Sequence, residues 1–201
     1  MINKKGVVWL CKLFSRIISL GIVLCIATIL LSSCGLPLPE PLPQAEPIHG
    51  EDLLALSDDQ LFSTVISQTF NLVDSFSSEE TAFSEITPAC RVVYILSIFN
   101  MELNNGGLCQ FFVNPSRSVA PYVDECLETV GAEEHRQLLA EFIGSNQIDL
   151  QDLDSFKVFS IQGYRKQTER YDFASFDDAF YQLPSLEAYI VSFIKANISD
   201  F

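Results

Sequence analysis

The sequence predicts an all-α fold, and three observations predict it. Apolar residues recur at three- and four-residue steps in segment after segment. Serine, threonine and proline stand where helices start, and glycine and asparagine where they stop. No run alternates with the two-residue period of a strand, and no internal repeat or nucleotide-binding loop interrupts the pattern. The expectation is one compact domain of six to eight helices over residues 50–201. A leader (1–33) and a proline-rich linker (34–49) precede it.

The leader has the plan of a lipoprotein signal. Lys4, Lys5, Lys12 and Arg16 form a positive start, and Ile17 to Leu31 is almost unbroken apolar sequence. That run is shorter than the roughly 20 residues a membrane span needs. It closes on Leu31-Ser32-Ser33-Cys34, with small residues before a cysteine. The expected outcome is cleavage before Cys34 and lipid attachment to its thiol, anchoring the chain on the extracytoplasmic face of the cell membrane. Gly35 after the cysteine argues against inner-membrane retention where there are two membranes. Pro37, Pro39, Pro41, Pro43 and Pro47 then favour an extended polyproline II spacer, at about 3.1 Å per residue.

Removing the leader sharpens the charge. The full chain has 12 Lys+Arg, 26 Asp+Glu and a net charge of −14, whereas residues 34–201 retain 8 and 26, near −18. Such a body repels nucleic acid and anionic lipid headgroups; it suits cations, basic peptides or basic protein faces. Beyond Cys34 the cysteines are Cys90, Cys109 and Cys126, an odd number. Three core thiols are favoured over one disulfide with a thiol left over. No CxxC or Cys/His cluster points to a metal, and no motif points to a cofactor.

Along the domain, Ser57 and Gln60 make a capping box for a helix running to about residue 76. Ser77–Ser84 reads as a loop. Thr87-Pro88 starts a helix apolar on nearly every side, hence central, which stops at Asn104-Asn105-Gly106-Gly107. Leu108–Val113 is a short helical turn. Pro121–Val130 and Glu133–Ile143 are helices separated by Gly131, and Gly144-Ser145-Asn146 is a loop. Leu153 to Arg170 reads as one helix weakened at Gly163. Ser175 caps Phe176–Tyr181, and Pro184-Ser185 opens Leu186–Asn197.

The candidate site is the stretch Glu102 to Asn114. It gathers Glu102, Asn104, Asn105, Gly106, Gly107, Gln110, Phe111, Phe112 and Asn114. Gln110 and Asn114 share a helical face. Glu102 could accept from the Gly106 and Gly107 N–H groups. The stretch serves either as a tight structural corner or as a small polar pocket. A catalytic set does not stand out: His135, among Glu133, Glu134 and Arg136, reads as a surface residue, and nothing local activates Cys109 as partner in a Cys109–His135 dyad. Asp124, Glu125, Glu128, Glu133 and Glu134 form a candidate acidic interaction surface.

The run Asn-Gly-Gly-x-x-Gln-Phe-Phe-x-Asn resembles the signature of a small all-helical bacterial domain family named for a DNA mimic protein. Leu127 to Ala132, Phe176 to Tyr181 and Leu186 to Ile190 resemble its later helices. The resemblance spans residues 57–198. It implies an all-α fold and raises inhibition of a DNA-binding protein as one function. An extracytoplasmic address disfavours that role. The sequence favours an interaction module of unknown ligand, such as one that sequesters a cationic peptide or toxin. The alternative is an enzyme or small-ligand binder built on Glu102, Gln110 and Asn114.

Overall fold

A central helix bent in the middle organises the domain. The computed structural model describes residues 48–201, so the leader, Cys34 and the prolines of the linker lie outside the described residues. Eight α-helices run in order: α1 (Asp58–Asp74), α2 (Glu79–Glu85), α3 (Pro88–Val113), α4 (Ala120–Thr129), α5 (Glu133–Asn146), α6 (Ile161–Arg170), α7 (Phe173–Phe180) and α8 (Leu186–Ala196). No strand occurs among the described residues, as an all-α sequence requires. None of these helices is long and apolar enough to cross a membrane. Short 3₁₀ turns at Gly50–Ala55 and Ile198–Asp200 pack together, and the Gly50 N–H donates to the Phe201 carbonyl (3.0 Å).

The starts follow their caps. Ser57 and Gln60 exchange both bonds of a capping box, with Asp58 and Asp59 in the first turn, where the helix dipole favours acid. Thr87 Oγ1 accepts from the Cys90 N–H (3.1 Å), and Pro88 occupies the first helical position. The central helix is buried as its composition predicts. Val93, Ile95, Leu96, Phe99, Leu103, Leu108, Phe111 and Phe112 all have negligible exposure, and α1, α4, α6, α7 and α8 pack around it. Cys90, Cys109 and Cys126 are free, buried thiols. Burial raises the pKa of each, that of Cys126 to about 12, so they remain unreactive thiols.

Several boundaries differ from the sequence reading. The expected loop 77–84 contains α2, because Ser78 caps it through the Thr81 N–H and Ala82 is drawn into the core. The expected loop 144–146 is the end of α5, which stops only where Gln147 turns left-handed at φ 52°. Residues 153–170 are not one helix. Phe156 stacks between Phe112 (4.7 Å) and Tyr171 (5.3 Å), which makes the chain turn, and Ser160 caps a new helix at Ile161. The cap of α7 is Asp172, not Ser175; Asp172 accepts from both the N–H and the hydroxyl of Ser175.

His135 is a correction of another kind. It is buried, not on a surface face, with its ring edge-on to Phe180 and Tyr189. Neither ring nitrogen has a hydrogen-bond partner, so no Cys109–His135 dyad forms. Burial lowers its pKa below 6.5; the Pro184 carbonyl, standing outside hydrogen-bond geometry, and Glu134 pull weakly the other way. A depressed histidine pKa means that the unfolded chain takes up a proton the folded chain refuses, so this contribution to stability is lost as pH falls below about 6.5. Asp177 and Glu187, raised by burial, act in the opposite sense at lower pH. We expect residues 48–201 to lose stability between about pH 7.5 and 6, and His135→Phe to flatten that loss. Urea unfolding at the two pH values measures it, and equal slopes for both proteins would refute the assignment.

Candidate functional site

The bend in α3 builds the candidate site. Gly106 and Gly107 depart from helical geometry, and Gly107 takes φ 78°, ψ −177°, a conformation essentially confined to glycine. A Cβ on Gly107 would collide with the Asp177 carboxylate, and one on Gly106 with the Gln110 carboxamide. The expected stop at Asn104–Gly107 is thus a kink, and Leu108–Val113 is the second limb of one helix. At the head of that limb the Leu108 N–H donates to Asp177 Oδ1 (2.8 Å). A carboxylate from α7 caps the restarted helix from 69 residues away. The Tyr181 hydroxyl, just beyond α7, donates to the Leu103 carbonyl at the end of the first limb. The sequence reading missed both partners, since local spacing carries no trace of them.

Glu102 does not accept from the glycine N–H groups as expected. Its carboxylate reaches across the kink to Gln110 Nε2 (2.7 Å), Asn114 Nδ2 (3.0 and 3.1 Å) and Ser116 Oγ (2.6 Å). The i+8 and i+12 partners are too far along a straight helix, and the bend brings them within reach. All three donors are neutral. Gln110 and Asn114 share a face as predicted. Asn105 is exposed and takes no part, while Asn104 bonds back to Asn100. Phe111 and Phe112 are core residues, Phe111 edge-on to Phe99 at 5.1 Å.

A shallow open groove of about 520 Å³ borders this cluster, lined by Gln110, Val113, Asn114, Pro115, Val158, Ser160, Ile161 and Tyr164. Its polar wall is already engaged, because Gln110 and Asn114 point their donors at Glu102. The arrangement is a buttress between the two limbs of α3, with no activated nucleophile. Among the described residues, no group of three or more His, Cys, Asp or Glu is placed to hold a metal ion.

The acidic candidates do converge. Asp124, Glu125 and Glu128 on α4 meet Glu133 and Glu134 on α5. Arg136 sits among them, bonded to Asp124 (3.1 Å), Glu128 (3.3 Å) and Glu133 (3.5 Å). One cation therefore serves three carboxylates, and Glu125 and Glu134 stay exposed without an ion pair.

Two outcomes test the corner. Glu102→Gln keeps the shape but presents an amide to three donors, and should cost about 2 kcal/mol. Gly107→Ala should cost about 2–3 kcal/mol, against about 1 for Gly131→Ala, whose positive φ opens on empty space. Denaturant midpoints of the three variants, at constant m, decide both; equal costs at Gly107 and Gly131 would remove the role given to Asp177.

A family model described as DMP19-like protein matches residues 84–197. No curated protein matches the chain, and no solved structure matches it. The matched stretch begins within α2, leaves out α1, and contains the whole kink with Glu102, Gln110, Asn114 and Asp177. It extends over more than half of the chain, which belongs to the DMP19-like protein family.

Proposed function

We infer that this chain is a membrane-tethered interaction module that captures a basic protein or peptide on its acidic surface. The observation that carries the reading is the surplus of unpaired acid. Residues 48–201 hold 24 Asp+Glu against 8 Lys+Arg, and among the described residues five carboxylates are ion-paired. The corner of Asp124, Glu125, Glu128, Glu133 and Glu134 concentrates that surplus on two adjoining helices.

Acid in this density raises the encounter rate of cationic partners, and salt screens it over about 10 Å at 0.1 M. The Leu-Ser-Ser-Cys box supports the tether, with lipid on Cys34 and the proline-rich linker as spacer. An extracytoplasmic tether favours sequestration of, or immunity to, a cationic peptide or toxin. It disfavours mimicry of DNA towards a DNA-binding regulator, the role the family resemblance raises. An enzyme or ligand pocket at Glu102, Gln110 and Asn114 gains little support, because those groups satisfy one another.

The experiment is pull-down with residues 48–201, followed by binding kinetics of the captured partner across salt. A cationic partner should associate about tenfold more slowly with Glu125→Lys/Glu134→Lys, and more slowly in high salt. Affinity indifferent to salt and to both reversals would sink the reading. Displacement of the partner by duplex DNA would favour mimicry instead. Intact-mass analysis of membrane-extracted protein tests the tether: acyl mass on an N-terminal Cys34 is expected, and a Cys34→Ser chain should be neither lipidated nor cleaved.

A further inference from the structure

The segment Lys157–Ile161 and the outer face of α6 differ from the rest of the surface. Phe159 is 96 % exposed and Ile161 79 %, while the next most exposed large apolar side chain, Leu54, reaches 49 %. Both stand at a turn fixed from either side. Before it, Phe156 is buried and stacked on Phe112. After it, Ser160 Oγ accepts the Gly163 N–H (3.1 Å) and starts α6. Phe159 and Ile161 flank that cap, so the turn holds two large apolar groups outward on an ordered support.

Cations are concentrated in the sequence around them. Of the eight Lys+Arg in residues 48–201, Lys157, Arg165, Lys166 and Arg170 fall within fourteen residues, with Glu169 the one acid among them. Ile161 and Arg165 lie one turn apart on α6, as do Lys166 and Arg170, while Gln167 on the inner side is buried. Lys157 pairs with Asp154, and Arg170 lies over the Tyr171 ring at 5.0 Å. In a domain of net charge near −16, residues 157–170, which include both protruding apolar side chains, carry four Lys+Arg against one acid, net +3.

We propose that this face rests on an anionic phospholipid surface, with Phe159 and Ile161 in the headgroup–acyl boundary and Arg165 and Lys166 on the phosphates. Interfacial elements combine these two components, apolar side chains that enter by about 5–10 Å and a flanking basic face. The protrusion of the apolar pair suits a fluid surface better than a groove-bound peptide. A second copy is the weaker occupant, since two bodies each near −16 repel. The inference rests on the tether proposed above.

The test uses the full chain with Trp9→Phe, which removes the only tryptophan, and Phe159→Trp as reporter. It is reconstituted in vesicles of phosphatidylcholine alone or mixed with phosphatidylglycerol, each with brominated acyl chains. With phosphatidylglycerol, the reporter's emission should shift to the blue and be quenched by the bromines. High salt, or Arg165→Glu/Lys166→Glu with helicity unchanged, should cut the quenched fraction about fivefold or more. Water-like reporter emission on a chain that floats with the vesicles overturns the inference and leaves the tether standing. A chain that does not float overturns both. Equal quenching in phosphatidylcholine removes the role of the cations, and a concentration-dependent blue shift without lipid assigns the face to a second copy; either result overturns the inference.

Discussion

The bond from the Leu108 N–H to the Asp177 carboxylate is the constraint on which the rest of this domain depends. A straight α3 would run its twenty-six residues out of the core. The left-handed Gly107 turns the chain, but a broken helix exposes backbone N–H groups that must find acceptors. Asp177 supplies one from another helix. Burial raises its pKa, the Leu108 N–H and Asp178 being lesser influences, so the carboxylate sits there at a cost. A hydrogen bond to a charged acceptor, of about 1.5–3 kcal/mol, offsets that cost and ties α7 to the bend. Phe180, at the end of α7, then meets Phe99 of the first limb and His135 of α5. One kink thereby positions three helices.

Glu102 completes the same device from the opposite side. Its neutral donors satisfy a half-buried carboxylate without using a cation, in a chain where cations are scarce. The scarce cations go elsewhere. Arg136 holds α4 against α5, Lys195 ties α8 to Asp58 at the start of α1, and four more gather between Lys157 and Arg170. Internal charge is met by amides and hydroxyls, so most surface acid is left without a basic neighbour. Packing of the corner and the electrostatic character of the exterior are in this way one question of distribution.

Features carried by neighbours in sequence are legible without the structure. The Ser57/Gln60 capping box, the Thr87-Pro88 start, the apolar centre of α3 and the break at Gly106-Gly107 all depend on spacings of four residues or fewer. The misreadings share a cause: a distant contact overrides a local signal. Phe156 reads as part of a continuous helix because nothing nearby reveals Phe112 and Tyr171 stacked on it. His135, flanked by acids, has a surface composition, and only the approach of Phe180 and Tyr189 buries it. Glu102 lies close in sequence to two glycine N–H groups, yet the bend brings it partners eight, twelve and fourteen residues on. The shared face of Gln110 and Asn114 is readable from their four-residue spacing, whereas their bonds to Glu102 and the cap from Asp177 are not.

This distinction bears on function. A polar cluster in the middle of an apolar sequence invites the reading of a pocket, since buried polar groups are costly without partners. Here the partners are in place. Each donor that Gln110, Asn114 and Ser116 turn inward ends on Glu102, and the open groove beside them is left with a largely apolar wall. A ligand that took the amide donors of Gln110 and Asn114 would have to break bonds that hold the two limbs of α3 together, so such binding would compete with folding. The exterior faces no such competition. Glu125 and Glu134 at the α4–α5 corner and Arg165 and Lys166 on α6 are exposed, and changing them leaves the core intact. Recognition is cheapest where stability has made the fewest demands, and in this domain the corner is where those demands are heaviest.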